Sequence, residues 1–235
     1  MLQDLFNSSC NKIQDYYVSS GHNDEFRFLT CSKIAFRKDI PILLLDGRPG
    51  KNTLNYPYEK FSCEKGNAYF AEVWNKNGIG NAPIQKHMQA FYSDLAETFD
   101  AEKPVMRFAQ EDVLSAYYNP FRDNCDGDED FFKELWFPIF DQMLPSLIFT
   151  FSVVAYKGVT DYLSKFDTIN NHQPISPVRE NFKFSMKFAE GRKDNKRCFV
   201  VNIPTIDKYL YADKGGLQEI SNAKMWQKVR DFLEN

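Results

Sequence analysis

Residues 40–45 (IPILLL) form a compact apolar run that stops at Asp46-Gly47-Arg48-Pro49-Gly50. A run this short and this apolar, ended by a Gly/Pro loop, predicts a strand buried on both faces that breaks off sharply. Strands covered on both sides belong to parallel sheets whose crossover connections are helices. No other segment constrains the fold as strongly.

The remaining pattern extends that scheme. Residues 83–99 place Ile84, Met88, Phe91, Leu95 and Phe99 at spacings of three and four, an amphipathic helix with Pro83 in its first turn. A second strand over 113–118 runs into Asn119-Pro120-Phe121-Arg122. An acidic stretch over 123–134, with six acids against Lys133, reads as a solvated loop. A helix through Trp136, Ile139, Phe140 and Met143 then leads to a third strand over 147–151, followed by a helix over 155–163. Residues 170–177 read as a polar connection. Residues 182–188 alternate Phe182, Phe184, Met186 and Phe188 with polar positions, the period of a half-exposed strand, which pairs with 198–203 across GRKDNK. A helix holding Leu217, Ile220, Met225, Val229, Phe232 and Leu233 closes the chain. The expected architecture is a single domain over 1–235, three-layer α/β/α with a mostly parallel central sheet of about four strands. Residues 1–38 are expected to form a helical segment packed on it.

Composition removes several classes of function. Lys plus Arg (29) against Asp plus Glu (32) excludes a broad, sequence-blind coat on nucleic acid. Charge is unevenly spread, however: residues 179–197 hold seven basic side chains against three acidic ones, which together with Arg48, Lys51, Arg122, Lys208 and Lys214 permits a compact basic footprint. The 22 Phe and 12 Tyr fit an aromatic core. No apolar run approaches the roughly 18 residues of a membrane span, and MLQDLFNSS lacks a signal-peptide pattern. Five scattered cysteines without a C-x-x-C suggest neither a disulfide framework nor a metal site. A cytoplasmic monomer without metal or cofactor is the expectation.

Open α/β sheets bind ligands outside the carboxyl ends of their strands, which directs attention to residues 46–52, 119–122, 152–157 and 204–210. Gly47 to Thr53 has ingredients of a phosphate-binding loop, with Lys51 as the phosphate cation. Gly47 nevertheless stands only three residues before Gly50, Asn52 occupies the place of the Ser or Thr, and LNYPYEKF is a poor helix start. A phosphate-loop nucleotide enzyme is therefore the third reading.

Several segments carry a more extensive likeness. Asp46-Gly47-Arg48-Pro49-Gly50 is similar to loops of the type G-Q-D-P-Y or G-x-N-P-G, and Phe61-Ser62 falls where a base-stacking aromatic follows them. Asn81-Ala82-Pro83-Ile84-Gln85 corresponds to a helix entered through a Pro-containing loop. The stretch from Ala109 to Asn119 echoes A-x-Q-G-V-L-L-L-N, and Trp136, Asp141, Pro145 and Ser152 follow as a third strand with its preceding helix. Ile203-Pro204-Thr205-Ile206-Asp207-Lys208 stands where H-P-S-P-L-S is expected. In order and spacing these resemble the uracil-DNA glycosylase superfamily over almost the whole chain from Ile40 onward.

That resemblance implies a DNA partner and a nucleotide extruded from the stack. Asn119 would read the base edge with its amide, which offers one acceptor and two donors in a plane. Phe61 would stack on the base. Thr205 would clamp a phosphate, Ile206, Tyr209 or Leu210 would fill the gap, and Lys51, Arg122 and Lys208 would contact the backbone.

Two positions depart from the family pattern at the chemistry itself. Arg48 replaces the water-positioning carboxylate or amide, and Ile203 replaces the His that stabilises the leaving base. Asp46 is the nearest carboxylate able to orient water or stabilise a cationic sugar, with Arg48 turned to a phosphate or a base substituent. A modified or damaged pyrimidine, including a hypermodified viral base, suits these departures better than plain uracil. His172, in HQPISP, is an alternative site residue or a surface loop. The rival from another class is a catalytically silent member that binds DNA or a partner protein.

Overall fold

In the computed structural model, which describes residues 2–21, 25–49, 59–74, 76–121, 129–165, 170–175, 185–204, 206 and 217–234, the apolar run becomes strand β1 (Ile42–Asp46). Its four apolar side chains are at most 1% exposed, as a strand covered on both faces requires. β1 pairs in parallel with β2 (Val113–Tyr117) on one side and β3 (Leu147–Thr150) on the other. β6 (Lys196–Asn202) continues the parallel set beside β3. β5 (Met186–Lys193) runs antiparallel to β6, and β4 (Asn170–Ile175) antiparallel to β5. The result is a mixed, mostly parallel sheet of six strands in the order β2-β1-β3-β6-β5-β4.

The expected four strands are thus too few, and the difference lies in the antiparallel edge. Residues 170–175, expected as a connection, form β4 although nearly all of them are exposed. Such a strand buries neither face and shows no alternation; backbone pairing to β5 holds it. Its register shifts between His172 and Ile175, around Pro174, whose missing N–H restricts it to an edge. The predicted GRKDNK loop shrinks to a two-residue turn. Asp194 and Asn195 take φ of 49° and 68°, the left-handed pair of a tight hairpin, so β5 extends to Lys193. Met186 and Phe188 are buried and Lys187 exposed, as the alternation predicts. Residues 182–184 lie outside the described part.

Seven helices are described: α1 (Gln3–Ser19), α2 (Ala68–Ala71), α3 (Pro83–Thr98), α4 (Val105–Glu111), α5 (Glu129–Met143), α6 (Val153–Ser164) and α7 (Leu217–Glu234). Glu129, Asp130 and Glu134, expected in a solvated loop, belong to α5. Glu129 and Asp130 sit in its first turn, where the helix dipole favours acids, and Glu129 pairs with Lys157 (2.7 Å). None of the described helices is long and apolar enough to cross a membrane.

The two faces of the sheet feed separate buried clusters. Leu43 and Leu45 join Ile13 of α1, Trp136 and Ile139 of α5 and Val159 of α6. Ile42 and Leu44 join Met88 and Phe91 of α3, Phe108 of α4 and Met225 of α7. The aromatic surplus accounts for much of both. Trp136, wholly buried, stacks on Tyr118 at 6.0 Å and donates from Nε1 to Tyr118 O (2.8 Å).

The amino-terminal segment is only partly helical. After α1, residues 25–31 run extended along the outer edge of β2. Thr30 N–H donates to Ser115 O (2.9 Å), and Tyr117 N–H donates to Phe28 O (2.9 Å). On its other side Phe28 and Leu29 donate to Lys60 O and Phe61 O. The segment therefore covers the open edge of β2, which would otherwise present unpaired backbone groups.

Candidate functional site

The chain leaves β1 for β2 on one side of it and then reaches β3 on the other, so the connections diverge between β1 and β3. The crevice outside the carboxyl ends at such a divergence is the usual ligand position. Beyond β1, Asp46 O accepts Tyr118 N–H (2.8 Å) and Gly47 O accepts Asn119 N–H (2.9 Å). The parallel ladder thus continues past the strand ends and ties the first loop to the second. Beyond β3, Ser152 caps α6, its Oγ accepting from Ala155 N–H (3.0 Å). A Cβ on Gly47 would come within 3.0 Å of Ser152 Cβ, so glycine lets the first loop pass without displacing that cap.

Asp46 and Asn119 therefore lie on adjoining, hydrogen-bonded loops. Asp46 is half-buried, and its Oδ1 accepts the N–H of Gly47 (2.7 Å), which orients the carboxylate at the strand end. Tyr69, wholly buried, lies in the same electrostatic neighbourhood. Burial first, then the fields of Tyr117 and Asp46, push its hydroxyl well above the ordinary tyrosine range, so it stays a neutral phenol. Asn119 Oδ1 accepts Phe121 N–H (2.9 Å) across Pro120, an Asx turn that commits the amide oxygen. Its Nδ2 makes no hydrogen bond among the described residues, so donors are what this amide has to offer.

Compared with protein-family models and with curated proteins, the chain matches none. The site must be judged on its own residues.

Arg48 is exposed beside the crevice, and the following Pro49 is buried. Phe61 is half-buried with its ring 5.3 Å from Phe26, a packing position on the cluster of α1 and α5. Ile203 and Ile206 are 0% and 3% exposed and belong to the cluster under α3 and α7, so neither projects into solvent as a wedge. Lys51, Arg122, Thr205, Lys208, Tyr209 and Leu210 lie outside the described residues. Among the described residues, Val153 and Val154 are exposed apolar side chains at this end, 55% and 59%, in the first turn of α6.

Of the expected basic footprint, Arg179, Lys183, Lys51, Arg122, Lys208 and Lys214 lie outside the described residues, and the basic residues described between 187 and 197 form a stripe along the β5–β6 hairpin. Lys187 pairs with Asn202 at the carboxyl end, whereas Arg192 pairs with Arg197 and Lys193 with Lys196 at the other. Five residues of strand separate the two ends, roughly 17 Å at about 3.3 Å per residue. Lys193 is buried against Asp141 and Tyr162, and Arg197 bonds Glu190 (3.0 Å). Hairpin geometry spreads charges that are adjacent in sequence. His172 sits on β4, four strands from β1, roughly 19 Å at about 4.8 Å per strand. It lines a cavity of about 240 Å³ with Glu190, Arg197 and Phe232, apart from Asp46 and Asn119.

One buried ion pair had no counterpart in the sequence reading. Arg27, 0% exposed, donates through Nη1 and Nη2 to the two oxygens of Glu72, both at 2.7 Å, and Trp74 Nε1 donates to Glu72 Oε2 (2.8 Å). The only available signal was a single charged residue, Arg27, between Phe26 and Phe28 in a largely apolar stretch. Nothing local names Glu72 as the partner.

Cys31 and Cys63 are free and buried, and burial pushes their thiols up to about 12 and about 11, away from nucleophilic use near neutrality. No group of three or more His, Cys, Asp or Glu among the described residues is placed to share a metal ion.

Gly158 of α6 connects packing to the site. A Cβ there would stand 1.9 Å from Tyr118 Oη, and Tyr118 directly precedes Asn119. Gly158→Ala is expected to lower stability by about 1–3 kcal/mol, because displacing a packed tyrosine outweighs the roughly 1 kcal/mol gain in helix propensity. Urea denaturation checks this; a stabilised variant would mean that Tyr118 moves freely.

Proposed function

We propose that the chain is a DNA glycosylase of the uracil-DNA glycosylase kind, acting on an extruded pyrimidine that is modified or damaged. The observation that carries this reading is the junction of the Asp46 and Asn119 loops, bonded to each other at the carboxyl ends of parallel strands where the connections diverge. The reading takes the sheet as the middle of three layers, the protein as a cytoplasmic monomer, and no metal or cofactor as required.

Hydrolysis breaks the bond between C1′ and the base nitrogen, whose electron pair leaves with the base. Water supplies the oxygen that replaces it at C1′ and the proton that the departing base takes up. Asp46 orients that water and stabilises the cationic sugar. Asn119 donates from Nδ2 to a carbonyl oxygen of the base, its own oxygen being held in the turn. Arg48 contacts a flanking phosphate.

The test is release of abasic sites by the purified protein from oligonucleotides carrying diverse lesions and from modified phage DNA. Release from any of them supports hydrolysis. Binding without release on every substrate supports the second reading, a silent DNA-binding or partner-binding member. That reading is favoured by Ile203, buried and apolar at the oxyanion position, and by Arg48 at the water position. The phosphate-loop alternative draws little support: the first described helix after the loop is α2, four residues long and starting at Ala68. It predicts magnesium-dependent nucleotide binding lost in Lys51→Ala.

A further inference from the structure

Thr150, Asn202 and Lys187 stand side by side across β3, β6 and β5. Residues paired this way point to the same face of a sheet, with Cβ atoms about 5 Å apart. Thr150 Oγ1 donates to Asn202 Oδ1 (3.0 Å), which fixes the amide so that its NH2 group points away from the threonine. Asn202 is 0% exposed, yet its Nδ2 has no hydrogen-bond partner among the described residues. Buried donors in folded proteins are almost always paired, and leaving one unpaired costs stability, so this group calls for a physical reason. Lys187, next to it, is exposed and makes no ion pair among the described residues. An orphan amide donor beside a cation is a pair of donors for one kind of ligand atom, an anionic oxygen.

We propose that Asn202 and Lys187 form an oxyanion subsite where the carboxyl end of β6 meets the amino end of β5, with Lys187 at its mouth and Asn202 Nδ2 at its floor. The anion is a phosphate, either free or as a phosphodiester of nucleic acid; the second source rests on the DNA-binding reading above, and the first does not. Because Asn202 is covered, an oxygen reaches Nδ2 only as neighbouring side chains part. The subsite needs no base excision to operate.

The decisive variant is Thr150→Val with Asn202→Leu, which replaces both polar partners by apolar side chains of similar shape. Removing a bonded pair together is close to neutral for stability and relieves the unpaired donor. Wild type, this double variant and Lys187→Gln are compared by thermal unfolding with inorganic phosphate, and separately by binding of a single-stranded oligonucleotide. The expected result is a double variant at least as stable as wild type whose affinity for phosphate or oligonucleotide is weaker by about tenfold or more. Lys187→Gln weakens the same binding and makes it less salt-sensitive. Phosphate binding without an oligonucleotide effect assigns a free anion, and the converse assigns the phosphodiester. Unchanged binding in the double variant overturns the proposal, as does a marked loss of its stability, which would assign Asn202 to a buried structural water. Base release by a double variant with wild-type affinity leaves the glycosylase reading standing and removes the subsite; anion binding by a protein that releases no base does the reverse.

Discussion

Glu72→Gln is expected to destabilise the fold by about 3–5 kcal/mol in urea or guanidinium titration, the range for breaking a buried ion pair at one partner. The cost arises mainly at Arg27. Its guanidinium is wholly buried, donates through two nitrogens to Glu72, and spends Nε on Leu29 O (3.1 Å). Removing the carboxylate leaves a buried cation with neither its counter-charge nor its fork of acceptors. The pair also joins residues 25–31, which edge β2, to the segment that follows α2, so its loss loosens the wall behind Tyr69 and Tyr117.

The pH dependence has a definite sign. Burial tends to raise the Glu72 carboxyl, but the hydrogen bonds and charge of Arg27, helped by Trp74, bring it below its ordinary value of 4.5. A group depressed in the folded state contributes its full stabilisation above its unfolded value and loses it as pH falls through its folded value. The gap between wild type and Glu72→Gln is therefore constant near neutrality and narrows below pH 4.5. Arg27→Met with Glu72→Leu should recover much of the loss, since apolar replacement of both partners is often neutral or better. A Glu72→Gln protein within about 1 kcal/mol of wild type would show that the pair contributes as little as a surface bridge.

If the chain acts as the proposed glycosylase, Asp46→Asn is expected to slow base release by about 10²–10⁴-fold, the span typical of a positioned acid or base, while DNA affinity changes little. The amide oxygen of asparagine still accepts the Gly47 N–H that Asp46 Oδ1 accepts now, so the loop keeps its shape and only the charge is lost. Asp46→Ala removes both, and comparison of the two separates chemistry from loop order. Single-turnover release with equal binding in wild type and Asp46→Asn is the measurement. Release by Asp46→Asn at the wild-type rate would remove Asp46 from the chemistry.

The legible parts of this molecule are those written in local periodicity. The run 40–45 reports burial on both faces by its own composition, and residues 83–99 report a helix face by their spacing. Asp46 and Asn119 could be named in advance because each follows a recognisable strand and sits at the end where parallel sheets hold ligands. β4 could not: an exposed edge strand has no apolar rhythm. The connection GRKDNK was read longer than it is, because Asp194 and Asn195 alone supply the left-handed backbone of the turn. Burial could not be read from the sequence either: Ile206, named as a gap-filling side chain, lies in the core, and Phe61, named for stacking, is half-buried against Phe26.

By itself the sequence determined the parallel strands, their intervening helices and the two polar loops at the carboxyl ends, because each depends on residues within a few positions of one another. Tertiary structure alone decided which strands are neighbours, and with that the joining of Gly47 to Asn119, the burial of Arg27 on Glu72, and the row of Thr150, Asn202 and Lys187. These contacts bring together residues 15 to 72 positions apart. Such pairs carry no local period. Their energies come from desolvated charge and hydrogen bonding, which exist only once the sheet has brought the partners into contact.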